Sequence, residues 1–191
     1  MRLAILDRGH RLGTRILFAI IRAASRHPVL DVIKLVKYRP DFWRAQGITH
    51  EAMRGPSAWS VGDRELMAAL VARTNGCQWC TAAHSEVAAG AYRDRARVDA
   101  VLAELDTAPI EEPLRATLKL LRTLARERTV GADDVRAVLA AGVSRAQIED
   151  ALAVAFAFNM TTRLADAFGF TMATPAAFAS GAKYLLARGY R

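Results

Sequence analysis

Four residues in this 191-residue chain have the types and the spacing to do chemistry together: Glu65, Cys77, Cys80 and His84. Cys77 and Cys80 are the only cysteines, separated by Gln78 and Trp79. On a helix, Cys77, Cys80 and His84 fall at i, i+3 and i+7, which is one face. The cysteines then occupy the first turn, where free backbone N–H groups and the helix dipole favour a thiolate. His84, one turn beyond Cys80, can exchange a proton with it. A carboxylate at Glu65 could reach His84 directly or through a water, hold its tautomer or accept its proton. Two thiols, an imidazole and a carboxylate suit a cysteine redox or peroxidatic site: one sulfur attacks, the other closes a disulfide, and the acid–base pair moves protons.

The elements that must bring them together are readable. Leu66, Leu70 and Val71 recur at helical spacing around Glu65, predicting a helix that ends near Arg73, with Asp63 as its N-cap. Thr74-Asn75-Gly76 is turn chemistry. A second helix runs from about Cys77 to Ala89 and is capped at Gly90. So short a turn makes the two helices an antiparallel hairpin.

Quieter readings exist for the same residues. Two cysteines can be no more than small buried apolar groups. Cys77, Cys80 and His84 could supply three zinc ligands, but a structural site wants a fourth, and His10, His27 and His50 have no cysteine near them in sequence. We therefore expect no metal and no cofactor.

The pattern E-x11-C-x-x-C-x-x-x-H, formed by Glu65, Cys77, Cys80 and His84, resembles the alkylhydroperoxidase D-like branch of the carboxymuconolactone decarboxylase superfamily. The order from Leu114 through Gly142-Val143-Ser144, Ile148 and Phe158-Asn159 to Arg163 also resembles the peroxidase-related branch, so the likeness spans roughly residues 58–172. It implies an all-helical, homo-oligomeric antioxidant enzyme, a trimer or hexamer. Such an enzyme reduces hydroperoxides through a cysteine pair that an external dithiol resets. By that likeness Cys80 is the peroxidatic cysteine, Cys77 the resolving one, and Glu65 with His84 the proton relay. Trp79 stands where the best-known member has a second relay histidine. Indole donates a hydrogen bond but shuttles no proton, so the relay here runs through Glu65 and His84.

Composition agrees with a helical fold: Ala, Leu and Arg dominate, 52% of residues are apolar, and period-two runs of β-branched residues are missing. The net charge of +8 is lopsided. Residues 1–60 carry eleven Lys or Arg against four Asp or Glu, and residues 61–191 sixteen against fifteen. We therefore divide the chain into a basic N-terminal helical extension, 1–57, and an all-helical domain, 58–191. The segments Leu3–Ala24 and Val29–Lys37 read as amphipathic helices stopped by Pro28 and Arg39-Pro40, followed by the aromatics Phe42 and Trp43. The apolar stripe of the first is broad enough to need burial on the core or a neighbouring subunit, which is favoured over a membrane surface. Nothing resembles a nucleic-acid motif. No apolar run approaches the length of a membrane span, no signal peptide is visible, and a recyclable thiol pair suits the cytoplasm.

Further on, Ala91–Leu105, Glu112–Arg128 and Asp133–Ala141 read as helices. Ser144 with Gln147 forms a capping box that opens a largely apolar helix. Asn159, Arg163 and Asp166 share a face, to line a pocket mouth or to form a local ion pair. The last helix, from Pro175 to Ala187, has no reading beyond packing. Two alternatives to a peroxidase stand: a redox-sensing helical protein whose basic arm binds an acidic partner, and a carboxymuconolactone decarboxylase-like enzyme.

Overall fold

The computed structural model describes residues 4–39 and 41–190. Leu3, Pro40 and the side chains of Phe42 and Trp43 lie outside the described residues. Among those described, the chain is all helix: α1 Ile5–Arg8, α2 Leu12–Ser25, α3 Asp31–Tyr38, α4 Phe42–Arg54, α5 Val61–Thr74, α6 Gln78–Tyr92, α7 Arg95–Ala103, α8 Glu112–Glu127, α9 Ala132–Ala140, α10 Arg145–Ala167 and α11 Pro175–Arg188. No helix among them is long and apolar enough to cross a membrane.

The bundle is built around α5, which packs against α4, α6, α7, α8 and α10. Every residue from Arg64 to Ala72 is buried. A helix enclosed on all sides shows no apolar stripe, so its small and apolar residues serve to let neighbours approach from every direction. The neighbours are ordinary amphipathic helices. Leu114, Leu118 and Leu121 of α8 and Ile148, Ala151, Val154 and Phe158 of α10 line one continuous core with Leu66, Met67 and Leu70 of α5. Ala52 and Met53 of α4 belong to the same core.

Several local readings shift by a turn, each for a physical reason. The N-cap of α5 is Ser60, whose hydroxyl accepts from the Asp63 N–H while the Asp63 carboxylate accepts from the Ser60 N–H. Asp63 is thus the third residue of a capping box and not the cap. Helix α6 runs through Gly90 to Tyr92 and is capped by Arg93 at φ 55°. Gly90 is there for closeness: a Cβ on it would lie 2.9 Å from Leu186 Cδ1 of α11. The first predicted helix is two, because the backbone breaks at Gly9 and His10. The capping box of Ser144 and Gln147 forms as expected and opens a single unbroken helix.

Helix α2 does not bury its apolar stripe on the core of its own chain. None of its residues is buried. Leu12, Ile16 and Ile20, expected to be covered, are 72%, 54% and 60% exposed.

Candidate active site

Helices α5 and α6 pack against each other and are joined by Asn75, Gly76 and Cys77. Three contacts along the pair show that it is antiparallel. At the turn the Cys77 N–H donates to the Ala72 carbonyl at 3.0 Å. Midway, His84 Nδ1 meets Glu65 Oε2 at 2.8 Å. At the far end the Tyr92 hydroxyl donates to Asp63 at 2.6 Å. Gly76, at φ +79°, supplies the reversal. Asn75 ties the turn to α10 by donating to Asn159 Oδ1 at 2.9 Å and to Thr162 Oγ1 at 3.1 Å.

Cys77 is the N-cap of α6 and Cys80 its third residue. The two cysteines approach to 3.2 Å and both are buried free thiols. The Cys80 thiol donates to the Cys77 sulfur, which lowers the Cys77 pKa against the opposing effect of burial. The same bond, with burial, pushes Cys80 well above the ordinary thiol range. The carboxylate of Asp166 on α10 faces the pair and opposes ionisation of both sulfurs. Asp166 therefore sits at the cysteines, and among the described residues it forms no ion pair with Arg163.

Around the sulfurs lies a separate apolar cluster of Ala72, Trp79, Ala165 and Phe178, with Leu30, Val32, Phe170 and Ala173 packed against it. Trp79 is a wall of this cluster, edge-on to Phe170 at 5.2 Å and to Phe178 at 5.6 Å. Its indole N–H finds no hydrogen-bond partner among the described residues. A cleft of about 400 Å³ beside the turn is lined by Arg73, Gly76, Gln78, Thr81 and Ala82, and neither cysteine lines it.

Glu65 and His84 meet directly, with no water required. Glu65 is fully buried and collects three donors. Arg54 Nη2 reaches Oε1 at 2.7 Å, His84 Nδ1 reaches Oε2 at 2.8 Å, and the Tyr190 hydroxyl spans both oxygens at 2.9 and 3.0 Å. Burial raises the Glu65 pKa, but the hydrogen bond from His84 and the Arg54 guanidinium outweigh it and hold the carboxyl below its ordinary value. A carboxylate with three donors accepts the His84 Nδ1 proton and leaves Nε2 as the ring's acceptor. Phe158 fixes one side of the imidazole edge-on at 4.4 Å, and Tyr190 stacks at 6.1 Å. Among the described residues the imidazole meets Glu65, Tyr190 and Phe158, and in sequence it stands one helical turn beyond Cys80.

Arg54 and Tyr190 were not anticipated. They lie 11 and 125 residues from Glu65, beyond any local spacing. The available signal was the carboxylate itself: a buried charge needs more partners than one imidazole. The Tyr190 hydroxyl is correspondingly pushed well above the ordinary phenol range, first by burial and then by the adjacent carboxylate. Among the described residues, no group of three or more His, Cys, Asp or Glu is placed to hold a metal ion.

Comparison with known proteins fits this architecture. Residues 40–123 match the carboxymuconolactone decarboxylase family. An uncharacterized peroxidase-related protein from Silicibacter sp. TM1040 superposes with a TM-score of 0.73 at 24% identity, over 87% of each chain. A second such protein, with an alkylhydroperoxidase AhpD core, from Ralstonia eutropha JMP134, also gives 0.73, at 22% identity over 91% of this chain and 90% of that one. The debrominase Bmp8 in its apo form gives 0.68 at 16% identity, over 81% and 83%. At these identities the likeness is one of fold. No curated protein matches the chain. The segment that matches the carboxymuconolactone decarboxylase family thus holds Glu65, Cys77, Cys80 and His84, and the chain as a whole has the fold of the AhpD-core peroxidase-related proteins.

Proposed function

We propose that the protein is a thiol-dependent peroxidase that reduces an organic hydroperoxide through Cys77 and Cys80. One observation carries the reading: two cysteines 3.2 Å apart at a helix N-terminus, one turn from an imidazole that a buried carboxylate orients at 2.8 Å. At rest the Cys80 proton is shared with the Cys77 sulfur. Moving it onto His84 Nε2 makes Cys80 the thiolate, the attacking sulfur that the family likeness implies. That sulfur attacks the distal peroxide oxygen; an S–O bond forms, the O–O bond breaks, and the departing alkoxide takes a proton from the relay to leave as alcohol. The Cys77 thiolate then attacks the Cys80 sulfenic acid. An S–S bond forms, the S–O bond breaks, and the departing hydroxide takes a proton from solvent to leave as water. An external dithiol, itself oxidised to a disulfide, restores both thiols. Glu65 keeps the imidazole in the accepting tautomer throughout.

The test is thiol titration with and without an organic hydroperoxide. Loss of two thiols as one Cys77–Cys80 disulfide, repeated turnover with a dithiol, and silence in Cys80→Ser support the reading. A second reading, a redox sensor, draws support from the enclosure of both sulfurs, 0% and 1% exposed. A sensor forms the same disulfide once but does not turn over, and that outcome rejects the peroxidase.

A further inference from the structure

Helix α2 presents a face that nothing among the described residues covers. Thr14, Phe18, Ile21 and Ser25, spaced at i, i+4, i+7 and i+11, are its half-buried residues, so they mark the side turned to the protein. On the opposite side stand Leu12, Ile16 and Ile20, more than half exposed, with the exposed Ala19 and Ala23 between them. Arg11, Arg15 and Arg22, all exposed, fall within a narrow arc along one flank of this apolar face. From Arg8 to Leu30 the sequence contains five arginines and no acidic residue.

We infer that α2 lies flat on an anionic membrane surface. Leucine and isoleucine would enter the boundary of the acyl chains, and the arginines would meet lipid phosphates at headgroup level. With 14 residues, the helix is short of the roughly 20 needed to span a bilayer. The alternatives fit less well. A nucleic-acid or acidic-protein surface would call the arginines to the middle of the outward face, which here is aliphatic. A second copy offers no net negative charge to meet the arginines, since residues 61–191 carry sixteen basic against fifteen acidic residues.

The experiment is flotation of the full chain with vesicles of phosphatidylcholine alone and of equal parts phosphatidylcholine and phosphatidylglycerol. Binding to the anionic vesicles and not the neutral ones is expected, weakening as salt rises. The triple variant Arg11→Gln, Arg15→Gln, Arg22→Gln should bind about a hundredfold more weakly. Ile16→Asp with Ile20→Asp should abolish binding. Because α2 buries none of its residues, these variants should keep the parent's helical circular dichroism and thermal midpoint. No binding to anionic vesicles, or equal binding to both kinds, overturns the inference. So does unaltered lipid binding by the aspartate variant, above all if that variant breaks an oligomer into monomers, because the face is then a contact between copies.

Discussion

Replacing Glu65 with glutamine is the sharpest test of how the site is held. The carboxylate offers acceptors only, and it receives Arg54 at 2.7 Å, His84 at 2.8 Å and the Tyr190 hydroxyl at 2.9 and 3.0 Å. Glutamine keeps one accepting oxygen and turns the other into a donating NH₂, so at least one of these donors faces another donor. It also removes the negative charge from beside Arg54, whose side chain is only 12% exposed. Breaking one partner of such a buried pair costs about 3–5 kcal/mol, or a fall of roughly 10 °C in Tm for a chain of this length.

The pH dependence carries a second signature. The folded pKa of Glu65 is depressed. Its contribution to stability is therefore complete above the unfolded value of about 4.3 and is lost as pH falls through the lower folded value. Urea unfolding of parent and variant from neutral to acid pH measures both effects. The variant should be weaker at neutral pH and should lose less as pH falls below about 4. A loss under about 1 kcal/mol, the size expected of an exposed pair, or an acid limb unchanged from the parent, refutes the account of Glu65 as a buried charge held by its donors.

Three other substitutions probe neighbouring parts. Tyr190→Phe keeps the ring stacked on His84 but removes a hydroxyl from a charged acceptor, so unfolding should show a loss of about 1.5–3 kcal/mol; an unchanged midpoint would mean that the hydroxyl bears nothing. Cys80→Ala takes away the thiol that donates to Cys77 and lowers its pKa, so the midpoint for iodoacetamide alkylation of Cys77 should move to higher pH. A midpoint that stays or falls contradicts the shared proton. A Cβ at Gly62 would stand 2.6 Å from Tyr92 Cε1. Gly62→Ala should therefore force α5 and α6 apart and cost about 1–3 kcal/mol, and a neutral result in thermal denaturation would show that the ring simply swings away.

What the sequence revealed follows the range of the forces involved. The hairpin was legible because a three-residue turn, two cysteines and a histidine fix their geometry locally. Turns and caps are local too, but there the same residue serves several ends. Gly90 reads as a helix stop and is instead a gap for Leu186; Asp63 reads as a cap and is the partner of one. The donors on Glu65 were hidden because they arrive from α4 and from beyond α11, and no periodicity links residues 11 or 125 positions apart. What covers α2 was illegible for the opposite reason. Its stripe has the width of a core-facing helix, and pattern alone does not say whether a core is present to receive it.

The apolar packing over the sulfurs has a kinetic consequence. Leu30 and Val32, beside and within α3, and Phe178 of α11 press on the cysteine cluster together with Phe170, and the two sulfurs have almost no contact with solvent. A reagent reaches them only during the moments when this packing parts. Oxidation should then climb with peroxide concentration and level off at a ceiling equal to the frequency of parting, whatever the intrinsic reactivity of the thiolate. Side chains that never touch the peroxide would thus set the maximum speed of the cycle.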